Sequence, residues 1–185
     1  MEKIKIVGIS GSDRKGSYNT ALLTYLSTQM LDNVDFKIID ITKLPFFHQD
    51  LETSNPEEVL KFRGELKEAD AFVVATPEYN YSIPPLLKNA LDWGSRGDGK
   101  EFEQKYVGII SASPSILGGA RAQYQLRQIC VCLNLLVLNR PEVFVSKAYE
   151  KIDQSGQIID EGTKERLNEL LQQLIVHVQT KKDIS

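Results

Sequence analysis

The chain has 185 residues, of which 42% are apolar and 25% charged. That is the balance of a water-soluble globular protein and points to one domain over 1–185 with a sizeable core. A net charge of -3 gives no electrostatic support to a nucleic-acid partner or an acidic membrane surface. No apolar run approaches the roughly 20 residues that span a bilayer. Met1, Glu2 and Lys3 lead directly into a strand pattern with no signal-peptide pattern before it, so a cytoplasmic setting is expected. The two cysteines, Cys130 and Cys132, lack Cys-x-x-Cys spacing and point to different faces of a helix. With only two histidines besides, no metal site is expected.

In chain order, a buried strand is expected over 4–9. A helix follows over 18–31, with Leu22, Leu26 and Met30 on one stripe and Ala21 and Tyr25 beside it. A second strand covers 36–41. The long connection 42–54 contains Pro45, Phe46, Phe47 and His48. Asn55 then reads as a helix N-cap, with Pro56 at the first helical position and Glu57 and Glu58 in the first turn. That helix carries Val59, Phe62, Arg63 and Leu66. The wholly apolar run 71–75 reads as a strand covered on both faces, as in a parallel sheet.

A polar and aromatic loop follows over 76–82, then a helix over 83–93 with Ile83, Leu86, Leu87, Ala90 and Leu91 inward and Pro84 and Pro85 in its first turn. A surface loop with Gly97 and Gly99 leads to a fourth strand over 106–110 and another polar, glycine-containing loop over 111–119. The next helix, 120–133, turns Ala122, Leu126, Ile129, Cys130 and Leu133 inward. A fifth strand region, 135–138 and 143–145, is interrupted around Pro141. A turn at 153–156 and a closing helix over 163–180 complete the chain, with Leu167, Leu170, Leu171, Leu174 and Val178 inward.

Five strands alternating with five helices predict an α/β fold, a parallel sheet with right-handed crossovers and helices on both faces. Ligands of such sheets sit beyond the carboxyl ends of the strands, where strand order reverses. The loops after the first, third and fourth strands meet at that edge. The first, 8–20, carries Ser12, Ser17, Asn19 and Thr20 as side-chain donors, Gly11 and Gly16 for tight folding, and the cations Arg14 and Lys15. Backbone amides at a helix start together with such donors suit a phosphate. A P-loop is excluded because Gly11-x-x-x-x-Gly16 is followed by Ser17 and Tyr18, without the lysine. A dinucleotide fingerprint fits poorly: Asp40 ends the second strand, but the glycine spacing is wrong. In the second loop, the rings of Tyr79 and Tyr81 suit the border of a flat heteroaromatic ligand and Asn80 its polar edge; taken alone, it reads equally as a plain turn with surface tyrosines. The third loop pairs Gly118 and Gly119, either for close backbone approach or as a flexible turn.

Together the loops resemble the NAD(P)H-dependent FMN reductase family, the flavodoxin-like quinone, chromate and azo-dye reductases. The resemblance rests on Gly11-Ser12-x-Arg14-Lys15-x-Ser17-x-Asn19, on Thr76-Pro77-Glu78-Tyr79-Asn80-Tyr81-Ser82-x-Pro84 with Leu87-Lys88-Asn89-Ala90-x-Asp92-Trp93, and on Gly118-Gly119-Ala120-Arg121 leading to Leu126-Arg127-Gln128. It spans nearly the whole chain, and Asp13 is a departure, standing where the family usually has an uncharged residue. It implies a flavodoxin-like three-layer sandwich with strand order 2-1-3-4-5. It also implies that Ser12, Arg14, Ser17 and Asn19 hold the phosphate of FMN, with Gly16, Tyr18 and Thr20 in the same loop. Pro77, Glu78, Tyr79 and Asn80 line the isoalloxazine, and Ser113 approaches from the third loop.

On this resemblance NADPH or NADH passes hydride to the central ring nitrogen of FMN and leaves. A quinone-like, azo or other small acceptor then takes two electrons at the same place, in a ping-pong cycle with no side chain acting as nucleophile or general base. Arg121 and Arg127 are candidates to attract the nicotinamide phosphate. A homodimer or homotetramer is implied, with Trp93, Tyr81 and Arg96 candidates for its interface as much as for core or plain surface. Two alternatives stay open: a flavodoxin-type electron carrier that does not oxidise NAD(P)H itself, and a nucleotide-binding dehydrogenase without flavin.

Overall fold

The computed structural model describes residues 3–29, 31–97 and 100–184. Strands whose residues are apolar on both faces need cover on both sides, and the chain supplies it by alternating them with helices. β1 (Ile4–Ser10), β2 (Val34–Ile39), β3 (Ala71–Ala75) and β4 (Tyr106–Ala112) pair in parallel in the order β2-β1-β3-β4. The fifth position is divided between β5 (Leu136–Val137), which pairs with Tyr106 and Val107, and β6 (Val143–Val145), which pairs with Ile110, Ser111 and Ala112. Pro141 lies between them and has no N–H for the ladder. The expected order 2-1-3-4-5 is present, with its last strand in two pieces.

Side chains alternate across the sheet. Ile6 and Val73 pack on one face under α1 (Tyr18–Ser27) and α6 (Glu161–Ile184), with Leu22, Leu26, Leu170 and Leu174. Val7, Phe72 and Val74 pack on the other under α2 (Glu57–Glu68), α3 (Pro85–Gly94) and α4 (Ala120–Cys132), with Phe62, Leu87 and Leu126. Gly108 sets how closely α6 lies on β4: a Cβ there would come within 2.7 Å of Leu170 Cδ2. No described helix is long and apolar enough to cross a membrane.

Several boundaries differ from expectation, each for a local reason. α1 ends at Ser27, four residues early, because Ser27 Oγ and Thr28 Oγ1 donate to Thr24 O and Tyr25 O and compete for the last carbonyls; Met30, expected on its stripe, lies outside the described residues, as does Gly99. β2 begins two residues early and stops before Asp40, whose carboxylate accepts from Thr42 N and Oγ1 in a turn that holds the carboxyl below its usual pKa. Pro56, not Asn55, occupies the cap position of α2; the Asn55 amide donates instead to Glu52 O. α3 starts at Pro85, with Pro84 as its cap. α6 outruns its apolar stripe at both ends. Asp160 accepts from Thr163 N and Oγ1 at the start, and Lys182 pairs with Asp70 at 2.7 Å near the end. A 3-10 turn at Gln49–Leu51 and a short helix α5 (Ala148–Lys151) were not expected, being too short to carry a period.

Trp93 is core rather than interface or surface. It is fully buried, its Nε1 donates to Pro45 O at 2.8 Å, and Phe47 meets its ring edge-on with centroids 5.0 Å apart. Asn89 accepts from Phe47 N and donates to Pro45 O, so α3 holds the long loop at two points. Arg96 lies over the Phe47 ring at 4.6 Å and completes this cluster. Trp93→Ala is expected to cost about 3–5 kcal/mol in urea unfolding, through the lost indole and the unpaired carbonyl. The two cysteines should separate in thiol labelling. Cys132 is exposed, whereas Cys130 is buried and its thiol is pushed up to about 12 by desolvation. The native protein is expected to label only at Cys132, and Cys130 only after denaturant is added.

Candidate functional site

Three chain segments meet beyond the carboxyl ends of β1, β3 and β4. Ser17 caps α1, its hydroxyl accepting from Thr20 N at 3.3 Å while its amide donates to Arg14 O. The amides of Tyr18 and Asn19 have no protein acceptor among the described residues. They stand at the positive end of the helix, as an anion requires. The Arg14 guanidinium folds over its own loop, donating to Gly16 O at 2.7 Å and Lys15 O at 3.3 Å, and lies 5.3 Å from the centre of the Tyr18 ring. Asp13 is exposed.

The second segment is a tight hairpin. Tyr79 and Ser82 exchange both backbone hydrogen bonds at 2.9 Å, and Asn80 and Tyr81 have φ of 50° and 69°. Positive φ at both central residues matches a type I′ turn, a geometry costly for a tyrosine. Arg121 from α4 places its guanidinium 3.6 Å over the Tyr81 ring. The same arginine donates from Nε to Glu78 Oε1 at 2.6 Å, and Glu78 Oε2 accepts from Arg121 N at 3.1 Å and Ala122 N at 3.4 Å. The residue at the α4 cap position, Gly119, has no side chain to offer, so Glu78 caps α4 from another loop. The carboxylate is almost wholly buried.

The third segment follows β4. Ser111 Oγ donates to Gly118 O at 2.5 Å and accepts from Gln123 Nε2 at 2.7 Å. At Gly119, φ is +88° and a Cβ would lie 2.7 Å from Ser111 Cβ, so only glycine fits there. Ser113 donates its amide to Val145 O at 3.0 Å, and its hydroxyl accepts from Ser115 N at 3.1 Å.

These segments enclose a cavity of about 410 Å3, within the range of small-molecule sites. Ser12, Arg14, Ser17, Tyr18 and Asn19 line one end, and Pro77, Glu78, Tyr79 and Ser113 the other. Nine of the twelve residues expected at the site therefore meet in one cleft. Gly16 and Thr20 stand outside its lining; Thr20 Oγ1 is hydrogen-bonded to Ser10 Oγ at 2.8 Å. Asn80 also stands outside, exposed at the hairpin tip. Ala112 and Pro114 join the lining unforeseen; Ala112 carries no side-chain chemistry by which a sequence could signal it. Arg127 is directed elsewhere, donating to Leu138 O and Asn139 Oδ1.

A second cleft of about 410 Å3 lies along β2 and α2. Its lysines and acids are interspersed, with Lys37 bonded to Glu65 at 2.6 Å, and it lies away from the three convergent loops. Among the described residues no group of three His, Cys, Asp or Glu side chains is placed to hold a metal ion.

The Glu78 cap has a measurable consequence. Glu78→Ala leaves two helix amides and a guanidinium without their partner and should cost about 1–3 kcal/mol in urea unfolding. Glu78→Gln, which still accepts from the amides, should cost less.

Residues 4–150 match the family model described as NADPH-dependent FMN reductase. The chain is 41% identical over 174 residues to the NAD(P)H-dependent FMN reductase of Pseudomonas aeruginosa, covering 94% of each protein. It is 43% identical over 175 residues to the NAD(P)H:quinone oxidoreductase of Solanum tuberosum, covering 91% of this chain and 89% of that one. Among solved structures, the flavoenzyme NAD(P)H:(acceptor) oxidoreductase FerB of Paracoccus denitrificans superposes with a TM-score of 0.87 at 28% identity, over 96% of this chain and 98% of that one. A phosphate-suited helix start facing an aromatic hairpin across one cleft, together with matches of this extent, places the chain in the NADPH-dependent FMN reductase family, as an oxidoreductase whose cofactors are FMN and a reduced nicotinamide.

Proposed function

We propose that the cleft seats FMN with its phosphate at the start of α1 and its ring between Pro77, Glu78, Tyr79 and Ser113, with Asn80 at the rim. The observation that carries this is the polarity of the cleft. One end offers hydroxyls, a guanidinium and the amides of Tyr18 and Asn19, which suit a dianion. The other end is walled by Pro77, Tyr79 and Pro114, which suit a flat ring. Bound in this way, FMN would supply two-electron redox chemistry between NADPH or NADH and a quinone-like, azo or other small acceptor, in a ping-pong cycle.

The protein's part is placement. Ser12, Arg14 and Ser17 bind the phosphate, and Gly16, Tyr18, Asn19 and Thr20 shape the loop that presents them. Asn80, at the exposed hairpin tip, would reach the polar edge of a bound ring from the rim of the cleft. The Glu78–Arg121–Tyr81 cluster holds the hairpin, so that Tyr79, 47% exposed, can border the ring without closing over it. An accessible ring face is what two successive small molecules need. Arg121, paired with Glu78 and laid over Tyr81, stands beside this opening. The chain is proposed to work as a homodimer or homotetramer in the cytoplasm, a setting that its free thiols suit.

The test is to add FMN to the apoprotein and follow the flavin spectrum, then to add NADPH without oxygen. Stoichiometric binding and loss of the oxidised flavin band within seconds are expected, followed by recovery on adding a quinone. Protein that holds FMN but is not reduced by NADPH or NADH would be an electron carrier instead, and tight NADPH binding to colourless protein would indicate a flavin-free dehydrogenase. Arg14→Ala should weaken FMN binding about tenfold by removing a charged donor from the phosphate end.

A further inference from the structure

Asn19 lies within the phosphate loop, yet its carboxamide is turned inward. Its Nδ2 donates to Ala112 O at 3.0 Å, and its Oδ1 accepts from Ala112 N at 2.9 Å. The two residues are 93 apart in sequence, and Asn19 is 3% exposed. The reason lies in the unequal lengths of the strands. β3 ends at Ala75, paired with Ile110, while β4 runs on to Ala112. On the β3 side, Ile110 O accepts from Thr76 N; on the β6 side, Ser113 N donates to Val145 O. Backbone groups alternate in direction along a strand, so the amide and carbonyl of Ala112 face the β3 side beyond its end. An asparagine side chain has the donor and acceptor of a peptide group, and Asn19 fills the place of the missing strand residue.

We propose that the Asn19 side chain is a positioning group rather than a phosphate ligand: its two hydrogen bonds to Ala112 set the distance between the phosphate cradle at α1, to which Asn19 gives its backbone amide, and the ring-side loop that begins at Ser113. This rests on the proposal that the cleft holds FMN. A phosphate ligand acts on one end of the cofactor only. A strut between the two ends acts on both, because the separation of the two walls decides whether tail and ring are seated together. Buried hydrogen bonds to backbone also carry a penalty when one partner is removed, since the other is left unpaired away from water.

The experiment compares FMN with riboflavin, which has the ring and lacks the phosphate. Binding of each to wild-type, N19A and N19D apoprotein is followed by flavin fluorescence. In N19A both flavins should weaken in parallel by about tenfold or more, with their affinity ratio preserved within about threefold. In N19D near pH 8, a carboxylate still accepts from Ala112 N but has no proton for Ala112 O, so both flavins should again bind weakly. Protonation restores one donor and one acceptor in nearly the same shape, so both affinities, relative to wild type at the same pH, should recover toward about pH 5. N19D also decides the matter if N19A does not fold.

A loss confined to FMN, with riboflavin unchanged, would overturn the proposal in favour of direct phosphate contact, as would variants indistinguishable from wild type. If wild-type protein binds riboflavin too weakly to compare, the spectrum at saturating FMN decides. A strut predicts an altered absorption band and quench for the ring in the variants, and a phosphate contact predicts the wild-type spectrum. Wild-type apoprotein that binds neither flavin defeats the cofactor proposal itself, a result distinct from any of these.

Discussion

Backbone amides and carbonyls that are buried where the strands end must find partners, because an unpaired buried polar group costs about as much as a lost hydrogen bond. Side chains supply the partners, two of them from distant parts of the chain. Asn19 pairs with both groups of Ala112, Glu78 caps the first amides of α4, and Ser111 takes Gly118 O. Each contact joins two of the three loops or fixes the course of one. The cleft is thus a by-product of hydrogen-bond satisfaction at the end of a parallel sheet, and the same hydrogen bonds tie its walls together.

Charge is arranged with the same economy. The carboxylate of Glu78 is almost wholly buried, and it is tolerated because two amides and the Arg121 guanidinium surround it. Arg121 in turn lies over Tyr81 and steadies a hairpin whose central residues occupy positive φ. At the phosphate end the opposite holds: Tyr18 N and Asn19 N are left without protein acceptors among the described residues, so the helix terminus keeps its affinity for an anion. One end of the cleft is electrostatically closed and the other open. That asymmetry orients a ligand with a charged tail and a neutral ring, which is the shape of the cofactor used by the family to which the chain belongs.

Much of this was legible in the residues. The alternation of apolar runs and helical stripes determined a parallel α/β sheet, because strands such as 71–75 cannot leave either face in water. The density of donors between Gly8 and Thr20 marked an anion loop at a strand-to-helix junction, and the missing P-loop lysine narrowed its ligand. The proline and aromatic pattern of 76–84 carried the family resemblance, which the comparisons bear out. Boundaries were less legible wherever a side chain competed with the backbone, as Thr28 does at the end of α1 and Asp40 after β2.

What the residues determined alone was therefore local: which segments are strand or helix, which faces are apolar, and which loops carry donors. Tertiary structure decided what those donors face. Asn19 and Ser17 look alike in sequence as polar residues of one loop, but Ser17 caps its own helix while Asn19 reaches a strand end 93 residues away. Glu78 looks like a ring-lining residue, but its carboxylate caps a helix that begins more than forty residues later. Trp93 was open to core, interface or surface until the long loop was seen to fold back onto it. The physical reason is common to all three. A polar side chain takes the partner that geometry places within about 3 Å, and that geometry exists only once the sheet has brought distant segments together.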